Sequence, residues 1–135
     1  MIENIATEIL YNRNVNLFAD TSHASGSFCS NYAVKGVPSL TIGIKTDYWW
    51  RVVSILHHEV YEFLMTDLRL RYTVSDEMAD NSAAYYFHMD HQEFAELATL
   101  AAYFISRVEP ALKKAWRRRK HVPKPKQILT SEESK

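Results

Sequence analysis

The sequence predicts an α+β domain: a small sheet of about three strands packed with a central helix and a long second helix. Three observations carry this. Apolar residues alternate with polar ones over short runs between residues 15 and 44, broken by turn-forming residues. Long stretches of helical periodicity then follow, around 46–71 and from Tyr85 onward. With 47% apolar residues, only three Gly and four Pro in 135 residues, the composition is that of one packed, helix-rich domain and excludes a disordered chain.

Ile2 to Tyr11 places Ile2, Ile5, Ile9 and Leu10 at helical spacing and is read as a short first helix, ended by Asn12, Asn14 and Asn16. Val15 to Ala19 reads as a strand, followed by a turn-rich loop from Asp20 to Gly26. Phe28 to Val34 and Ser39 to Ile44 read as two further strands, joined through Lys35-Gly36-Val37-Pro38 as a hairpin connection. The second is the clearest, with Leu40, Ile42 and Ile44 alternating against Thr41 and Gly43.

Thr46 or Asp47 can cap a helix that runs to about Arg71. Trp49, Val52, Val53, Leu56, Val60, Phe63 and Leu64 form its apolar stripe, while Trp50, Ile55 and Met65 point elsewhere. Apolar on most of its circumference, it is expected to be central and covered on several sides. Ser75-Asp76-Glu77 opens the next helical region, and Tyr85 to Ile105 reads as a long helix. Its core side is Ala84, Phe87, Phe94, Leu97, Ala98, Ala101 and Phe104; Glu109-Pro110 is expected to kink or restart it, and another turn or two reaches Trp116. Residues 1–120 are read as a single domain, and 121–135, with Pro123, Pro125 and a polar end, as a flexible basic tail.

Chemistry concentrates in His57-His58-Glu59-Val60-Tyr61-Glu62. On a helix His58 and Glu62 leave the same face one turn apart, so an imidazole and a carboxylate can close on one metal ion. Glu59 stands beside them, where a general base for a metal-bound water belongs. The bland alternative is an ordinary i,i+4 pair on a solvated face that also carries Arg51. His57 lies about 100° round the helix from His58, nearer the apolar stripe, and is read as a supporting donor or a core histidine. A metal needs a third ligand, and Tyr86-Phe87-His88-Met89-Asp90-His91 is the best supply. Imidazole with carboxylate suits Zn, Fe, Mn or Ni, and no soft thiolate narrows the choice.

A small sheet, a helix carrying His58-Glu59-x-x-Glu62 and a second helix with a further histidine together resemble the minimal layout of the zincin metallopeptidases, over roughly Leu40 to Phe104. The pattern is also similar to short proteins carried by bacterial viruses, in which a Trp-rich helix start precedes such a motif. The resemblance implies a zincin-like metal-binding protein and a metal-dependent hydrolase. His58 and Glu62 would hold zinc or another divalent transition metal, with His91 as third ligand (His88 as its substitute) and Glu59 as general base. The motif departs from His-Glu-x-x-His in placing Glu62 where a second histidine stands. A carboxylate there lowers the net charge of the site and its power to acidify water, so metal binding can outlast peptidase activity.

Zero net charge conceals an asymmetry: residues 1–112 carry 7 Lys and Arg against 14 Asp and Glu, whereas residues 113–135 carry 9 against 2. Lys113, Lys114, Arg117, Arg118, Arg119 and Lys120, with Trp116 among them, can meet nucleic-acid phosphates without sequence preference, or can lie against the chain's own acidic body. The rival to the metal reading is therefore a non-enzymatic viral or mobile-element protein that inhibits a host protein. Cys29 is the sole cysteine and is read as a buried small apolar residue. No apolar run has membrane-spanning length, and a reducing, cytoplasmic setting is expected.

Overall fold

The computed structural model describes residues 1–29, 36–73 and 85–119. The chain forms β1 (Ile2–Leu10), β2 (Arg13–Asp20), β3 (Gly26–Cys29), β4 (Ser39–Gly43), α1 (Trp49–Asp67), β5 (Arg71–Thr73), β6 (Tyr85–Phe87) and α2 (His91–Arg119). An α+β architecture is thus observed. It is built on a four-stranded mixed sheet of order β1-β2-β4-β3, with β5 and β6 as a separate antiparallel pair.

The first element corrects the sequence reading, because Ile2–Leu10 is a strand and not a helix. It pairs antiparallel with β2, and the register shifts between Asn4 and Ala6. Of the four apolar residues at helical spacing, Ile2 and Ile9 are exposed, Ile5 is half-buried and only Leu10 is buried, so that spacing marks no inward face. After the bulge, Ala6, Glu8 and Leu10 alternate inward against exposed Thr7 and Ile9.

β2 and β4 are parallel at the sheet centre, with Leu17 beside Leu40 and Ala19 beside Ile42, and β3 runs antiparallel to β4 on the far edge. Leucines, isoleucines and valines of β2 and β4 form one buried face. α1 lies over β3 and β4, while α2 lies over β1 and β2 and packs against α1. Val52, Leu56, Val60, Phe63 and Leu64 of α1 meet Leu97, Ala101, Phe104, Val108 and Leu112 of α2 in a single core. Gly43 ends β4 where the backbone of the preceding loop crosses it, donating its N–H to the Ser25 carbonyl at 2.8 Å. A side chain there would strike that backbone.

The helix limits also differ from expectation. α1 starts at Trp49 behind Tyr48, whose extended backbone makes no side-chain cap. Thr46 instead accepts the Tyr48 N–H on its hydroxyl at 3.4 Å. α1 stops at Asp67, short of Arg71, because Arg69 takes a left-handed φ of 58° and the Leu70 N–H turns back to the Met65 carbonyl at 2.8 Å. Tyr85–Phe87 is strand rather than helix, and α2 begins at His91. Phe87 and Phe94, expected in the core, are exposed. α2 runs through Pro110 without a break in its helical span. Cys29 is exposed rather than buried. The proposed remainder of the third strand beyond Cys29, the hairpin residue Lys35, the helix start at Ser75-Asp76-Glu77, Lys120 and the tail 121–135 lie outside the described residues.

Candidate active site

The motif residues sit mid-way along α1, where the helix passes the β3 edge of the sheet. An apolar stripe on one side of α1 fixes its rotation against the core, and this decides the place of every polar neighbour. Glu59 falls one residue before buried Val60 and is drawn inward to 5% exposure. Its carboxylate reaches Gly26 of β3, where an added Cβ would stand 2.5 Å from both its Cγ and Oε1. Only a glycine leaves room for it. No hydrogen bond or ion pair falls on that carboxylate among the described residues. Burial pushes the Glu59 carboxyl above its ordinary 4.5; neighbouring His58 works against the rise and Glu62 adds to it.

His58 and Glu62 come together as the spacing predicts, with His58 Nε2 at 3.7 Å from Glu62 Oε2. The imidazole is largely in solvent, at 65% exposure, and the carboxylate is at 24%. Beside them an open cleft of about 360 Å³ is lined by Ser25, Gly26, Ser54, Ile55, His58 and Glu59. Buried Glu59 and exposed His58 therefore share one cavity, which the sequence alone did not place. Ser54 precedes His58 by one helical turn and could have been found from its spacing. Ser25 and Gly26 come from across the sheet and leave no local signal.

Two ligand bonds of about 2.1 Å at a tetrahedral angle set donors about 3.4 Å apart, so the 3.7 Å between His58 Nε2 and Glu62 Oε2 is slightly wider than two positions on one ion. The other histidines among the described residues do not join it. Among the described residues no group of three or more His, Cys, Asp or Glu is gathered closely enough to hold a metal ion. His88 and His91 are both exposed, and only His91 belongs to α2. His88 donates its backbone N–H to the Leu70 carbonyl at 3.1 Å, extending the β5–β6 pairing. His91 opens α2 directly after Asp90, which exchanges hydrogen bonds of 2.8 Å with Glu93 in a reciprocal cap. His57 is neither a core residue nor a donor to the pair: it is exposed and stacks on Tyr61, ring centroids 6.1 Å apart.

The basic segment is partly consumed inside the fold. Arg118 pairs with Glu3 at 3.2 Å, Arg119 with Asp47 at 3.3 Å, and the Lys113 ammonium lies 5.5 Å from the Trp49 ring centroid. Lys114 and Arg117 are exposed and have no ion pair or hydrogen bond among the described residues. No helix of the described residues is long and apolar enough to cross a membrane. Comparison of the chain with protein-family models, with curated proteins and with solved structures finds no match.

Proposed function

We propose that the chain is a zincin-like metal-binding protein and a metal-dependent hydrolase, with its reaction in the cleft between β3 and α1. The observation that carries the reading is Glu59: a largely buried residue whose carboxylate opens on the cleft with no hydrogen bond or ion pair among the described residues, beside the His58–Glu62 pair. Partial desolvation of an unpaired acid costs stability, and such groups collect where they serve chemistry. Its raised pKa makes it a stronger base than an ordinary carboxylate, as a group that takes a proton from water needs to be. His58 and Glu62 hold the ion in this reading, zinc being the first choice for an imidazole–carboxylate set, with His91 as third ligand and His88 as its substitute. When bound, a divalent ion supplies a water of lowered pKa and polarises the bond under attack. His91 must then approach from the start of α2, a position at which it does not join the pair in this conformation.

Elemental analysis of untagged protein tests the reading. One equivalent of metal is expected in the wild type, lost in His58→Ala and in Glu62→Ala, and kept in Glu59→Gln together with the loss of any hydrolysis. Protein that takes up no stoichiometric metal overturns it. The incomplete ligand set favours a second reading, a non-enzymatic viral or mobile-element protein that inhibits a host factor. A metal-free protein that captures a host protein through its exposed surface would establish that reading.

A further inference from the structure

The first turn of α1 packs on the basic end of α2 through Trp49 and Trp116, with exposed aromatic rings on the first and exposed cations on the second. Tyr48 is 62% exposed and Trp50 67%, with ring centroids 6.3 Å apart. Trp49 between them turns the other way, onto Trp116 at 5.5 Å. Lys113 links the two features. Its ammonium covers the Trp49 ring, and its side chain also walls a groove of about 390 Å³ formed with Pro110, Lys114, Arg117 and Arg118. The groove's open cations are Lys114 and Arg117, since Arg118 is held by Glu3.

We propose that this junction binds single-stranded nucleic acid, with bases stacking on Tyr48 and Trp50 and the phosphate backbone following the groove past Lys114 and Arg117. Every base has a π face, so two exposed rings are a sequence-tolerant platform, and cations beside them meet the phosphates that join stacked bases. The chemistry selects a single strand over a duplex, whose bases are stacked on one another and offer no face to these rings. Burying these rings in a lipid headgroup layer would also take in Asp47, 83% exposed beside Tyr48, whereas a strand stacked on the rings can leave Asp47 in water beside Arg119, at 3.3 Å. Because no described side chain here is arranged to read base edges, binding is expected to discriminate little between sequences. The surface lies apart from the Glu59 cleft, so its occupancy does not depend on metal.

Fluorescence anisotropy of a labelled oligothymidylate of about 12 nucleotides, at low salt, tests the proposal on the full chain. Saturable binding is expected, weaker for a duplex of equal length. Trp50→Ala is expected to lower affinity by roughly tenfold, as loss of one stacked base would. Lys114→Glu with Arg117→Glu should flatten the log–log salt dependence by about 1.4, from ~0.7 per phosphate contact. All three positions are exposed, and circular dichroism checks that the variants keep the fold. The proposal is overturned if the oligonucleotide does not bind saturably, if the duplex binds as well, or if Trp50→Ala binds like the parent. Sedimentation with phosphatidylserine vesicles in place of oligonucleotide binding would assign the surface to membranes and overturn it equally.

Discussion

Single buried charges divide into two kinds in this protein. The Asp67 side chain is almost wholly buried at the end of α1 and accepts from Nη2 of Arg13 on both oxygens, at 2.6 and 2.8 Å, across from the start of β2. Arg13 also covers the Phe63 ring at 5.4 Å, so the pair ties helix to sheet. Asp67→Ala leaves a half-buried guanidinium without its carboxylate and is expected to cost on the order of 3 kcal/mol in urea unfolding. Asp67→Asn, which keeps an acceptor, should cost less. Glu59 has no such partner, and its pH dependence has a definite sign. Its carboxyl is raised in the folded state above 4.5, so the folded state binds more proton than the unfolded chain between those two values. Stability from this group is therefore greatest below about pH 4 and falls as pH rises through the raised value. Glu59→Gln should accordingly melt higher than the wild type at pH 8, with the gap closing toward pH 4. Calorimetry at both pH values checks this, and a gap that does not change with pH would show that the carboxylate is well solvated. The sequence revealed His58, Glu59 and Glu62 as a set because helical spacing is local. It could not reveal that Glu59 goes inward while His58 stays in water, because that depends on Gly26 from another strand.

At the scale of elements, ends and interruptions matter more than lengths. Pro110 sits inside α2 without an N–H to offer the Ser106 carbonyl, a cost the surrounding packing of Val108 and Leu112 absorbs. Because Pro110 is exposed, Pro110→Ala is expected to stabilise the fold, up to the ~3 kcal/mol that separates the two residues in a helix interior. An unchanged melting temperature would mean the helix has adapted fully to the proline. At the other helix, Leu56→Ala should leave a cavity and cost on the order of 2–5 kcal/mol, since Leu56 is fully buried between sheet and α2. These long helices were legible because their apolar stripes repeat over many turns. Their starts were legible in part: the signal for α2 was present as Asp90 followed three residues later by Glu93, but two histidines nearby invited a metal reading instead. β1 was not legible as a strand. Its bulge breaks the alternation, and the inward position at Glu8 is charged because Arg107 of α2 meets it at 2.8 Å. That contact joins residues 99 apart, and nothing in a local window encodes it.

Over the whole molecule, the opposed charges of the two parts of the chain meet in space. Arg118 with Glu3 and Arg119 with Asp47 join the acidic body to the basic end of α2, although surface pairs of this kind contribute little each. The larger closure is aromatic. Trp116, which the sequence presents as one ring within a basic run, faces inward: its indole N–H donates to the Thr46 carbonyl at 2.7 Å and its ring meets Trp49. Arg119 stacks over the same ring at 5.6 Å and donates to the same carbonyl. Thus the end of α2 fixes the turn before α1, which has no side-chain cap of its own. Two substitutions separate the parts of this clasp. Trp116→Phe keeps a ring but deletes the N–H, and with Arg119 still serving Thr46 it is expected to cost about 1 kcal/mol. Trp116→Ala removes the ring from under both Trp49 and Arg119 and is expected to cost on the order of 3 kcal/mol. Trp49 should then shift its fluorescence emission to longer wavelength as water reaches it. If Trp116→Ala unfolds at the same denaturant concentration as the wild type, the clasp contributes nothing and the last turns of α2 are held by buried Leu112 and Ala115 and by the ion pairs.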